Sequence, residues 1–348
     1  MERQNIRDLS FEELADFLKK HAQPSYRTGQ IASFLYEKDV SDVSEITNIP
    51  ESLKQLLSEH YYITLPTVRE KFVSREDGTV KYLFDLWDGQ SVETVVMRYS
   101  HGFSVCLSTQ VGCRMGCSFC ASTKAGFIRN LTPGEMLGQL SAVRRDLGIK
   151  ISNVVLMGIG EPLDNFDSVL RFLATLSSPK GMQLSLRHLS LSTCGLVDKI
   201  RLLQNYKQGL TLSVSLHAPF DTLRNELMPI NRKYPISVLL AACKDYSEAT
   251  GRRISLEYAL IDGVNDSDEC AVRLAEITRG LNCHINIIPV NTIKEKAYRS
   301  SKRTKAFADL LLKRGRSVTV RRRLGADIAA ACGQLRASKN ISRTEDSV

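Results

Sequence analysis

Apolar residues recur at helical spacing through the first 64 residues. Phe11, Leu14, Phe17 and Leu18 follow Ser10, a good N-cap residue, and Ile31, Phe34 and Leu35 repeat the period. Pro50 opens a third short helix over Leu53, Leu56 and Leu57. The pattern predicts a small helical module with Lys19, Lys20, Tyr26 and Arg27 on its surface, serving either as a structural appendage or as an RNA-docking face. From Thr79 the period shortens to two. TVKYLFDL and SVETVVMRYS flank Asp88-Gly89, which predicts two strands joined by a tight turn.

After residue 100 apolar strand-like runs alternate with amphipathic stretches of helical length. The strands fall at 104–109, 153–157, 188–192, 210–216, 253–260, 284–289 and 317–322. One helix is sharply punctuated. Thr132-Pro133-Gly134-Glu135 combines an N-cap, a proline in the first turn and a capping-box glutamate, and Gly148 closes the run that follows. Strand-helix alternation predicts a parallel sheet, open or closing toward a barrel, with chemistry at the carboxyl ends of its strands. No internal repeat stands out, and the polar residues after 335 read as a loose tail.

Composition narrows the class. Of 348 residues, 43% are hydrophobic and 24% charged, which excludes a disordered, collagen-like or coiled-coil chain. No apolar run approaches the roughly 18 residues of a membrane span. MERQNIRDLSFEELADF lacks the basic-then-apolar order of a signal peptide, so a cytoplasmic enzyme is expected. The net charge of +9 favours a polyanionic partner. The nine cysteines are odd in number and the chain is long enough for a full core, which argues against a secreted disulfide framework.

Three of these cysteines form C-x3-C-x2-C in GCRMGCSFC: Cys113, Cys117 and Cys120. They follow a predicted strand in a glycine-containing loop. Thiolates are soft ligands for an iron–sulfur cluster or zinc. A structural zinc site wants a fourth protein ligand, and no second cysteine pair follows downstream. Three ligands suit a four-iron cluster whose remaining iron is open to a cofactor.

With Phe119 before its last cysteine, this motif resembles the signature of radical S-adenosylmethionine (SAM) enzymes. MGIGEPLDN at 157–165 resembles their glycine-rich SAM motif. VETVVMRY at 92–99, STCG at 192–195, SLHAP at 215–219 and DIAAACGQL at 327–335 narrow the likeness, and together these segments resemble the RlmN/Cfr family of radical SAM adenine methyltransferases of RNA. The likeness runs from the helical module to Leu335.

The resemblance implies an α/β fold: a partial (β/α)6 TIM-like barrel with a small N-terminal helical accessory domain and a β-hairpin extension. The divisions expected are an RNA-contact module over 1–75, a connecting hairpin over 76–98, a radical SAM core over 99–330 and a C-terminal segment over 331–348. It implies a [4Fe-4S] cluster on Cys113, Cys117 and Cys120 and two SAM per methylation. SAM contacts carry over to Gly160, Glu161, Ser192, Ser215, Leu216, His217 and Asn291. Cys332 matches the cysteine that carries the methyl group, Glu93 the proton acceptor, and Cys106 the thiol that resolves the RNA-linked intermediate, leaving a Cys106–Cys332 disulfide. The implied activity is methylation of carbon 2 of an adenine in 23S rRNA and in tRNA, by a monomer drawing electrons from a flavodoxin or ferredoxin. Carbon-8 methylation, the family's antibiotic-resistance activity, and a zinc-dependent RNA-binding protein are the alternatives. VNTIKEKAYRSSK after Pro289 departs from the family pattern around Asn291. Lys313, Arg314, Arg316 and Arg321 to Arg323 form a basic run suited to RNA phosphates. Cys194, Cys243, Cys270 and Cys283 have no motif partner and are expected to act as small core hydrophobes.

Overall fold

The computed structural model describes residues 3–124, 126–206, 209–290, 298–330 and 333–335. Three helices open the chain: α1 (Phe11–Lys20), α2 (Arg27–Tyr36) and α3 (Glu51–His60). Ser10 caps α1 by accepting from the Glu13 amide, while the Glu13 carboxylate accepts from the Ser10 amide, so two end donors are satisfied reciprocally. The helices bury Leu14, Leu18, Ile31, Leu35, Leu53 and Leu57. The module is fastened to α4 (Pro133–Leu147) by buried polar groups. Arg7 donates to Ser141 Oγ (2.6 Å) and to the Val40 carbonyl (3.0 Å), and Asp8 accepts from the Gly134 amide in the first turn of α4. The α4 boundaries match the sequence reading, with the Thr132–Glu135 capping box in place and Gly148 in the left-handed conformation that ends the helix.

Ten strands form one sheet: β1 (Thr67–Val73), β2 (Val80–Asp85), β3 (Ser91–Tyr99), β4 (Gly102–Cys106), β5 (Ile151–Leu156), β6 (Leu189–Thr193), β7 (Thr211–Ser215), β8 (Ile254–Leu260), β9 (Cys283–Pro289) and β10 (Val318–Val320). Their order across the sheet is their order in the chain. β1 to β4 are antiparallel neighbours, and β4 to β10 are parallel. The crossovers are α4, α5 (Phe166–Ser177), α6 (Val197–Leu203), α7 (Asp221–Leu227) with α8 (Ile236–Thr250), α9 (Asp268–Ile277) and α10 (Thr304–Lys313). This gives six strand-helix units and a closing strand. The parallel strands bury Leu156, Leu191, Val214, Leu256 and Ile287 against these helices, the usual consequence of covering a parallel sheet.

Several strands escaped the sequence reading, among them a short parallel pair of Gln4–Asn5 with Tyr61–Tyr62. The side chains of β1 are mostly exposed, so TVREKFV carries no buried face to read. A short antiparallel pair, Gln110–Gly112 with Phe127–Asn130, brackets the cysteine loop. Among the described residues no helix is long and apolar enough to cross a membrane.

Candidate functional site

The carboxyl ends of β4 to β9 open into one cleft. Cys113, Cys117 and Cys120 line it from the loop after β4. The loop is pinned by backbone bonds: Cys113 N to Gly126 O (3.1 Å), Ser118 N to Leu227 O (2.9 Å) and Ala121 N to Gly333 O (2.8 Å). Burial pushes the Cys113 thiol up to about 12 and Cys117 higher still, so as bare thiols both stay protonated at neutral pH. Iron would supply the positive charge that makes thiolates tolerable at these two buried positions and at half-buried Cys120, so the donor set fits a cluster. Among the described residues no three His, Cys, Asp or Glu side chains converge as they would on a single ion.

The turn after β5 closes the next wall. A side chain at Gly158 would fall 2.5 Å from the Leu107 carbonyl, and Gly160, at φ +112°, lies where a Cβ would meet Gln110 at 2.7 Å. The backbone therefore runs against the strand and delivers Glu161 into the cleft. The Glu161 carboxylate is wholly buried, and burial raises its pKa against hydrogen bonds from the Cys194 and Leu163 amides (2.7 and 3.0 Å). No Lys or Arg among the described residues pairs with it. An acid buried this way suits a bound ammonium such as that of SAM.

Ser192, Ser215 and His217 line the same cleft. His217 has φ +56°, and its Nδ1 accepts from the Ala259 amide (2.9 Å), which places its proton on Nε2. Burial drives its pKa down to about 3, so it acts as a neutral group, with the Phe119 ring packed edge-on at 4.8 Å. Leu216 differs: its side chain is in the core, and its backbone groups are used by Glu257 and Arg224. Asn291 lies outside the described residues.

Sequence reasoning missed two buried charges here. Arg224 donates to the carbonyls of Leu216, Cys194 and Ser215 and to Asn231, bracing the ends of β6 and β7. Glu257 lines the cleft from β8, held by Ser255 and Asn286 (both 2.8 Å). Single charges inside strand or helix patterns carry no spacing signal. Cys243 and Cys270 are core residues and Cys283 is half-buried, but Cys194 lines the cleft beside Glu161.

A second, smaller cavity adjoins the first, sharing Met157, Ile288 and Arg321 with it. Cys106, at the end of β4, lines it together with Arg322 and Arg323. The other members of the basic run lie elsewhere. Lys313 ends α10 and Arg316 donates to the Thr278 carbonyl, both ahead of β10, whereas Arg321 to Arg323 follow it, so β10 splits the run between its two ends. On β3, Val92 and Val96 enter the main core, whereas Val95 and Met97 face the other way and pack with Cys106, Ala330 and Leu335. Alternation places Glu93 on this second face. Cys332 lies outside the described residues, but its chain neighbours Ala330 and Leu335 cover Cys106, and Gly333 borders the cysteine loop. The structure gives no support to the implied disulfide, whose other member, Cys332, lies outside the described residues. Packing and the Ser122 Oγ to Leu335 O bond (2.9 Å) hold the described part of the segment.

A parallel α/β sheet whose first parallel strand leads into this cysteine loop, above a glycine-rich turn after the second, defines a radical SAM protein. The Radical SAM superfamily matches residues 107–275, and the ribosomal RNA large subunit methyltransferase N-terminal domain matches residues 4–63. A relative from Clostridium novyi (strain NT), described as a "probable dual-specificity RNA methyltransferase RlmN", is 48% identical over 95% of this chain and 97% of its own. One of the same description from Clostridium botulinum (strain Eklund 17B / Type B) is 51% identical over 96% of each. The crystal structure of a radical SAM methyltransferase from Sphaerobacter thermophilus superposes with a TM-score of 0.91 at 42% identity, covering 95% of this chain and 99% of that one. The chain belongs to the RlmN family of radical SAM RNA methyltransferases. Membership implies SAM and a [4Fe-4S] cluster.

Proposed function

We propose that this protein methylates carbon 2 of a specific adenine in 23S rRNA and in tRNA. The observation that carries the reading is the shared face: Glu93 and Cys106 lie on one side of the sheet, under the segment that leads to Cys332 and beside the cysteine-lined cleft. That carbon is an electron-poor C–H centre and does not attack an electrophilic methyl group, so a radical route is needed. Bound to Cys113, Cys117 and Cys120 and to the Glu161 wall, the cluster and SAM supply the one-electron chemistry and the methyl group, two SAM per methylation. Cys332 accepts a methyl as thiolate and presents it to the ring. Glu93 takes the ring proton from the linked intermediate, and Cys106 attacks the Cys332 sulfur to release the RNA. Neutral His217 and the buried Glu161 hold the cofactor without adding positive charge beside its sulfonium. Arg321 to Arg323 meet the RNA backbone at the cavity mouth, where a flipped base enters. Electrons come from a flavodoxin or ferredoxin, and the enzyme works as a monomer.

The test uses anaerobically purified full-length protein with a reductant, methyl-deuterated SAM, a 23S rRNA fragment and tRNA. Mass mapping should find the label on carbon 2 of one adenosine in each RNA. Label on carbon 8 assigns the family's other activity. A colourless protein holding one zinc and no iron refutes the reading.

A further inference from the structure

One charged residue on the face shared by Glu93 and Cys106 has no part in the roles above. Lys81, on β2, is buried, and its Nζ stands 3.2 Å from Glu93 Oε1, each side chain 10% exposed. Strand register explains the meeting. Lys81 pairs with Val95 and Leu83 with Glu93, so Lys81 and Glu93 are diagonal neighbours on one face. Val95 pairs in turn with Cys106 on β4. The same ammonium donates to the Ala329 carbonyl (3.3 Å), in the segment approaching Cys332, and lies over the Phe72 ring at 5.1 Å. Ala329 sits at φ +50°, a conformation disfavoured for a residue with a side chain. Two bonds fix the same junction: Asp77 accepts from the Gly325 amide (2.8 Å) and Asp327 from the Arg75 amide (3.0 Å).

We propose that Lys81 is a positioning residue that holds Glu93 ionised and in place for proton removal. This rests on the reading of Glu93 as proton acceptor. A buried ammonium must have its charge and its donors met. Here Glu93 meets the charge, and Ala329 and the Phe72 ring take up the rest. Removing Lys81 leaves a buried carboxylate without this cation, and desolvation then favours the protonated form, which cannot accept a proton. Among the described residues, the titratable groups on this face are Glu70 from β1, Lys81 and Asp85 from β2, Tyr99 further along β3 and Cys106 from β4, while Arg321 to Arg323 and Asp327 come from the closing segment. In the step itself the ring C–H bond breaks, its electron pair returns to the ring, and Glu93 leaves protonated. Lys81 neither gains nor loses a proton.

The test measures release of RNA from the covalent protein–RNA adduct as a function of pH, using full-length iron-loaded protein and normalising to the fraction of Cys332 methylated. Lys81→Met should accumulate adduct and move the acid limb of release upward by about 1–3 pH units. Lys81→Arg should keep the limb near that of the parent. Lys81→Gln retains a donor for Ala329 without the charge and should shift the limb as Lys81→Met does, so it carries the test if Lys81→Met does not fold. In a Glu93→Gln background, Lys81→Gln should add no further shift. An unmoved limb in Lys81→Gln, or the same shift in the Glu93→Gln background, overturns the role of Lys81. Glu93→Gln releasing RNA at the parent rate overturns the reading of Glu93 itself, and the inference with it.

Discussion

Arg224 offers the sharpest test of how the SAM-side wall is held. Its guanidinium, on α7, is buried and makes four hydrogen bonds, at 3.0 Å to Leu216 O, 2.8 Å to Asn231 Oδ1, 2.8 Å to Cys194 O and 2.9 Å to Ser215 O. Three of those carbonyls belong to the segments that end β6 and β7, where Ser192, Ser215 and His217 line the cleft. A hydrogen bond from a charged donor contributes about 1.5–3 kcal/mol, so four give a gross figure of roughly 6–12 kcal/mol. Burial works against this, lowering the pKa of Arg224, and a large part of the gross figure offsets the desolvated charge. Arg224→Met removes both terms but leaves four acceptors facing an apolar chain. The net loss should be about 3–5 kcal/mol, the range for breaking a buried charged network. At roughly 2 °C per kcal/mol for a chain of this length, apparent Tm should fall by about 6–10 °C. Arg224→Lys keeps the charge but not the planar fork, and should fall between the two. Thermal unfolding followed by circular dichroism gives the first number, and calorimetric SAM binding on the folded variant gives the second. SAM affinity should drop along with Tm, because the same carbonyls shape the cleft. Arg224→Met unfolding within about 2 °C of the parent, with unchanged SAM affinity, refutes the bracing role.

Cys106→Ala should accumulate protein covalently bound to RNA, visible as a nuclease-sensitive mass increase on denaturing gels, whereas Cys332→Ala should give none; normal turnover in the first or crosslinking in the second shows the roles misassigned. Replacing Arg321 and Arg322 with Gln should weaken RNA binding and reduce the slope of log affinity against log salt by about 1.5, at 0.7–0.9 per phosphate contact, and an unchanged slope removes these residues from the RNA interface. His217, buried and neutral with a folded pKa of about 3, binds fewer protons folded than unfolded, where histidine titrates near 6.5. Its contribution to stability is therefore complete above about pH 6.5 and is lost as pH falls through the window toward 3, by up to about 1.4 kcal/mol per pH unit. His217→Gln should flatten that part of the Tm–pH curve, and an identical curve for the variant contradicts the assignment.

The parallel half of the sheet was legible because short strand-length runs such as LSLST and TLSVS alternate a buried apolar face with a more polar one, between stretches of helical period. All seven predicted strands are present, with ends shifted by a few residues at most. The α4 boundaries were legible because capping chemistry is local. β1 was not, since its exposed side chains give no alternation, and its place follows only from pairing with β2. The cysteine loop and the turn at Gly160 announced themselves by spacing. Arg224, Glu257 and Lys81 did not, because a lone charge among apolar residues reads the same whether it reaches solvent or a buried partner. The basic run failed for the opposite reason: residues adjacent in sequence were divided between the two ends of β10.

The bonds from Gly325 to Asp77 and from Ala329 to Lys81 join parts of the chain 248 residues apart. During synthesis the sheet can be laid down strand by strand in the order of translation, each new edge accepting the next. The junction at residues 325–330 is the step that returns to the beginning. A polypeptide released before that point lacks Cys332, the Gly333 carbonyl that pins the cysteine loop and the Ala329 carbonyl that Lys81 engages. The cysteine loop thus gains its last backbone tie, and the Lys81 face its cover, only when the chain is nearly finished. A ribosome that stalls late in this message leaves the sheet laid down and this junction open.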